Sequence, residues 1–157
     1  MTWRGSTTVP DRIFACLPYL LPLVGVLAFG QFFLQQFPPL QLLFLPLRPL
    51  QEIYNIQYVP FIIFLCLWLL VVRNEKIGHF IRFNAMQAIL LDIVIFLFGI
   101  LTQVIERFPS TGFAVQTLYT TIFLGIVVAV GYSTVYSLMG RYAEIPAISD
   151  AVYMQVR

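Results

Sequence analysis

Phe83 to Ile105 reads FNAMQAILLDIVIFLFGILTQVI, twenty-three residues carrying one charged side chain, Asp92. A helix needs about 20 predominantly apolar residues to cross roughly 30 Å of hydrocarbon. This stretch therefore reads as a membrane-spanning helix with a carboxylate close to its middle. Eleven large apolar residues, Ile89 to Leu91, Ile93 to Phe98, Ile100 and Leu101, offer roughly 3–6 kcal/mol towards insertion, against about 2.5–3.5 kcal/mol for a central Asp. The helix can insert, and Asp92 needs a reason to be there.

Outward from this helix, Ile13 to Leu47, Ile53 to Val72 and Phe108 to Gly140 contain no Asp, Glu, Lys or Arg. Of all 157 residues, 10% are charged and 60% hydrophobic, where a soluble domain carries roughly 25% charge. Mean hydropathy is +0.88. These values exclude a soluble enzyme, a disordered tail and a disulfide scaffold. A net charge of only +2, with no basic stretch among exposed aromatics, argues against nucleic acid as a partner. The expected fold is all-α, a single polytopic domain over 1–157. Four transmembrane helices are placed at about 13–34, 53–72, 83–105 and 117–140, followed by a short tail, 141–157.

Proline shapes the first half. Pro18 and Pro22 predict a kink in the first span, since each removes a backbone donor and crowds the preceding turn; Asp11 is a candidate cap. Pro38, Pro39, Pro46 and Pro49 forbid a regular span over Phe37–Pro49, yet its leucines are too apolar for water. It is expected to lie along the interface or against the bundle, with a re-entrant loop as the sharper alternative. A second span beginning at Pro60 would reach only roughly 20 Å by Val72, so the longer 53–72 helix is expected, kinked near Pro60.

Four spans put both termini and the loop after the second span on one side of the membrane. That side holds Arg4, Arg12, Arg73, Lys76, Arg82, Arg141 and Arg157; the other holds Arg48 and Arg107. The positive-inside rule then places both termini in the cytoplasm, or in the stroma of a plastid. The residues before the first helix show neither a transit-peptide nor a cleavable-signal pattern, so either that helix is the insertion signal or this is a mature chain.

Catalytic chemistry finds no candidates. Cys16 and Cys66 stand apart among large apolar residues, His79 is alone in a basic loop, and no catalytic, cofactor or metal motif is present. Asp92 admits two readings: a hydrogen-bonded lock between helices, or a group on a proton or substrate path. The fourth helix carries small residues every fourth position, Thr117, Thr121, Gly125, Ala129, Ser133 and Ser137, a spacing that lets helix backbones approach closely. That ridge drifts about 40° per step, so two or three steps should form one contact. Matching depth across an antiparallel pair brings Asp92 level with Gly131, which makes Tyr132, Ser133 and Thr134 its expected partners.

The run Val72-Arg73-Asn74 followed by Arg82-Phe83-Asn84-Ala85-Met86-Gln87-Ala88-Ile89-Leu90-Leu91-Asp92-Ile93 resembles the signature of the twenty-kilodalton subunit family of the Tic translocon. Arg12 with Leu17-Pro18-Tyr19-Leu20-Leu21-Pro22-Leu23 resembles that family's first helix, Tyr58-Val59-Pro60-Phe61 the entry to its second, and Ile145 to Ala151 its tail. The likeness covers nearly the whole chain. Arg82, Asn84, Gln87 and Asp92 match the motif, and the family offers no catalytic residues to carry over. The resemblance implies a subunit of the preprotein import machinery of the chloroplast inner envelope, or a cyanobacterial relative of it. Its partners would be the lipid bilayer, other translocon subunits and a transiting preprotein. The rival expectations are a structural or assembly subunit without transport, and a proton-coupled transporter built on Asp92.

Overall fold

The computed structural model describes residues 6–156, and among them every regular element is helical. The first span is one bent rod. Helix α1 (Val9–Cys16) passes through a 3-10 turn at Leu17–Tyr19 into α2 (Leu20–Gln36), so Pro18 tightens the helix without ending it. Thr8, not Asp11, is the cap. Its hydroxyl accepts from the Asp11 backbone N–H at 3.3 Å, and its own N–H donates to the Asp11 carboxylate at 2.9 Å, a reciprocal capping box.

The Pro-rich segment is more regular than its prolines predict. Helix α3 (Pro38–Phe44), a 3-10 turn at Leu45–Leu47 and α4 (Arg48–Tyr54) follow one another. Each begins with Pro at its first or second position, where the missing N–H has no intrahelical partner to lose. Tyr58, with φ of 69°, then turns the chain into α5 (Val59–Leu67), which ends in a π turn at Trp68–Val72. The axes of Pro38–Tyr54 and Val59–Val72 differ by 98°. This corrects the expected 53–72 helix: Ile53 and Tyr54 belong to the preceding element, and Pro60 opens the next helix instead of kinking a longer one.

Helices α6 (His79–Ile105) and α7 (Gly112–Leu138) are both long and apolar enough to span, as is Val9–Gln36. With the broken pair counted as one crossing there are four. The first span lies against both α6 and α7. Their shared core contains Val26, Leu27, Leu91, Ile95, Phe123 and Ile126. Gly30 allows a close approach there: a Cβ would clash with the ring of Phe123.

Gly140, at φ of 72°, closes α7, and the tail helix α8 (Ile148–Gln155) folds back on α6. Val152 and Val156 join Val72, Phe83 and Met86 in a second core. The start of α1, the α5–α6 loop and the tail thus share one end of the bundle, here the proximal end. Gln36 and the α6–α7 loop mark the distal end. Arg4 and Arg157 of the charge count lie outside the described residues.

Candidate functional site

The first half of α6 is almost wholly buried, polar residues included. Asn84 and Gln87 lie one turn apart on the same face, directed at the first span and α7. The Asn84 carboxamide oxygen accepts from the Tyr19 hydroxyl and from Ser137 Oγ, both at 2.8 Å. Its nitrogen donates to the Phe80 carbonyl at 2.8 Å. Gln87 Nε2 reaches the Tyr19 hydroxyl and Ser133 Oγ at 3.1 Å and the Ala143 carbonyl at 2.9 Å. One buried layer therefore joins the first span, α6, α7 and the tail. In a low-dielectric interior such a layer fixes which helices pair and in what register. Gln87 Oε1 accepts no bond from any described residue.

Arg82 ties in the second crossing. Its Nε donates at 2.8 Å to the Val72 carbonyl, an acceptor left over where the π turn ends. His79 Nδ1 lies 2.9 Å from the Tyr142 hydroxyl, so this lone histidine links α6 to the tail and does not stand in solvent.

Asp92 faces elsewhere. It lies thirteen residues from each end of α6, and both carboxylate oxygens are 2.8 Å from the hydroxyl of Tyr54, the last residue of α4. Gly25 leaves the room: a Cβ there would sit 3.1 Å from Asp92 Oδ1. The expectation that Asp92 bonds Tyr132, Ser133 or Thr134 is therefore corrected. The pairs Gln87–Ser133 and Asn84–Ser137 fix the register of α6 on α7. That register sets Asp92 level with Val128 and Ala129, two to three residues from Gly131, the predicted depth. Ser133 serves Gln87, Tyr132 is exposed and packs on Tyr136 with centroids 4.4 Å apart, and the Thr134 carbonyl accepts from the Cys16 thiol at 3.7 Å.

The small-residue ridge divides. Ser133 and Ser137 are buried and Ala129 is half-buried, whereas Thr121 and Gly125 are exposed. The Thr117 and Thr121 hydroxyls bond back to carbonyls of their own helix, at 2.9 and 2.8 Å. A straight contact cannot follow a ridge that rotates about 40° per step. Above Val130 the buried stripe passes instead to Ile126, Phe123 and Ile122. Tyr19 and Tyr54 are the two functional side chains that sequence reading missed. For Tyr19, a phenol inside an otherwise apolar segment was the available signal; Tyr54 lies among polar residues and carried none.

The architecture is that of a multi-pass α-helical membrane protein whose third span carries a buried polar layer and a mid-helix carboxylate. Residues 7–152 match the family model described as "Chloroplast import apparatus Tic20-like", and the chain belongs to that family. A Tic20 family protein of the cyanobacterium Synechocystis is 51% identical over all of this chain and 99% of its own length. Protein TIC 20-II, chloroplastic, of Arabidopsis thaliana is 33% identical over 99% of the chain and 78% of its length. The Tic20 family protein Ycf60 of the red alga Porphyra purpurea is 32% identical over 99% and 80%. Arg82, Asn84, Gln87 and Asp92, the residues that carried the resemblance, are thus among those that join α6 to the rest of the molecule.

Proposed function

We propose that this chain is a membrane subunit of a protein-import translocon, and that its broken second crossing lines the path of an unfolded polypeptide. The observation that carries this reading is the break at Asn55–Tyr58. Tyr54 bonds Asp92 in the middle of α6, so the break lies at membrane depth. Glu52, Asn55 and Gln57 around it are exposed. Non-helical backbone and unpartnered polar side chains are tolerated at that depth only against protein or water. One copy has too few helices to enclose a polypeptide, so other subunits complete the wall. The higher identity to the cyanobacterial relative, 51% against 33% for the chloroplastic one, supports a membrane of cyanobacterial type, and the bias of positive charge supports both termini on its cytoplasmic side.

The test uses single cysteines at Asn55, Gln57 and, as a lipid-facing control, Ile62, in a chain whose Cys16 and Cys66 are replaced by Ala. Asn55 and Gln57 should react with a membrane-impermeant thiol reagent and crosslink to an arrested preprotein, while Ile62 should not. Protection of both positions from reagent and preprotein alike would refute this reading. It would favour a purely structural or assembly subunit, a role that the buried polar layer alone could serve.

A further inference from the structure

A cleft of about 260 Å³ opens between α2, α3 and α4, lined by Gln31, Gln35, Gln41, Arg48 and Gln51. Gln41 Nε2 donates to the Leu34 carbonyl at 2.9 Å. The Arg48 guanidinium and the other three carboxamides have no hydrogen-bond or ion-pair partner among the described residues. No Asp or Glu lines the cleft. It therefore presents one fixed positive charge, the planar donor fork of an arginine and several amide N–H groups. That set of donors selects an anion with several oxygens over a cation or a neutral group.

The position of the cleft narrows the ligand. Gln35 lies in the last turn of α2 and Gln41 in the first turn of α3, so the cleft extends towards the distal end, the side of one leaflet's headgroups, within reach of the long Arg48 side chain. Beside it Leu42 and Leu43 are each 70% exposed, an apolar surface suited to acyl chains. We propose that this cleft binds the phosphate or sulfonate group of an anionic lipid headgroup, with Arg48 as its charged anchor and the glutamines as donors to the remaining oxygens. The site is separate from the polar layer of α6 and does not depend on the translocon reading.

The experiment measures thermal unfolding of the full chain in mild detergent while phosphatidylglycerol, phosphatidylcholine or inorganic phosphate is titrated in. The unaltered chain is compared with Arg48→Gln, Gln51→Leu and Arg107→Gln; Arg107 is the other cation on the distal side and lies outside the cleft. Phosphatidylglycerol should raise the midpoint in the unaltered chain and in Arg107→Gln. The concentration needed should rise about tenfold in Arg48→Gln, the loss of one charge-assisted contact, and by less in Gln51→Leu. Competition by inorganic phosphate would show that the anionic group alone is recognised, and its failure to compete would show that the headgroup is. Equal stabilisation by phosphatidylcholine overturns the proposal. So does an unchanged phosphatidylglycerol response in Arg48→Gln, or, should that variant not fold, in Gln51→Leu.

Discussion

The first half of α6 and the segment from α3 to α5 both carry polar residues within apolar surroundings, and they treat them in opposite ways. In α6, Asn84 and Gln87 are fully buried and bonded to three other elements. In α3, α4 and α5 no residue is buried. That segment is fastened to the bundle by Tyr54 and by half-buried side chains, Phe44 and Leu47 on the first core and Phe64 and Leu67 on the second. Buried polar groups without partners are expensive, so a layer that pairs all but Gln87 Oε1 favours one internal pairing of helices. A segment with nothing fully buried gains less from its own bundle than α6 does. Most of its surface faces outward.

The sharpest way to break this contrast is Asn84→Leu. It strands the Tyr19 and Ser137 hydroxyls and forces a branched side chain into a filled site. Interhelical hydrogen bonds in membranes average about 0.6 kcal/mol with a maximum near 1.7, and overpacking adds about 1–3, so a loss of about 2–4 kcal/mol is expected. Unfolding in detergent, followed by loss of helical signal, measures it. A cost below about 0.5 kcal/mol, the level of an ordinary surface substitution, would mean that the layer does not hold the bundle together.

Asp92 tests the tie between α6 and the end of α4. Asp92→Asn keeps an acceptor for the Tyr54 hydroxyl and should change little. Asp92→Leu and Tyr54→Phe each remove the bond and should cost about 0.6–1.7 kcal/mol. Their double mutant should cost no more than the dearer single change. The loss should be local: amide exchange should quicken over Arg48–Tyr54 while α6 stays protected. Quickened exchange throughout α6 would place Asp92 in the bundle's core instead of at the latch of its outer segment.

The sequence made the membrane class, the four crossings and the Pro-rich interruption legible, because absence of charge over some twenty residues has few other meanings. The break at Asn55–Tyr58 was not legible. Pro60 was read as a kink, yet proline is equally at home in the first turn of a new helix, and nothing local distinguishes the two. The α6–α7 register differs from the expected one by two to three residues, because helix ends are set by loops and caps and do not mark depth. The pairs Gln87–Ser133 and Asn84–Ser137 are what fix it. The four-residue ridge was legible only where it met a partner, at Ser133 and Ser137; nearer the distal end the helix had already rotated Gly125 and Thr121 away.

The smallest expected effect makes the contrast most specific. Phe61 and Ile62 are 60% and 54% exposed on α5, where in most proteins an aromatic–aliphatic pair would anchor a core. Replacing a core Phe by Ala costs about 3–5 kcal/mol. Phe61→Ala and Ile62→Ala in the isolated chain should each cost under about 0.5 kcal/mol, because truncation opens no cavity and lipid or detergent already covers both residues. Urea unfolding of the purified protein in detergent tests this directly. If α5 instead meets another subunit, the same variants should leave the isolated chain untouched and reduce its recovery in complexes extracted with mild detergent. A large loss of stability in the isolated chain would show that α5 packs on its own bundle, and the exposed crossing would then lose its standing as a surface for partners.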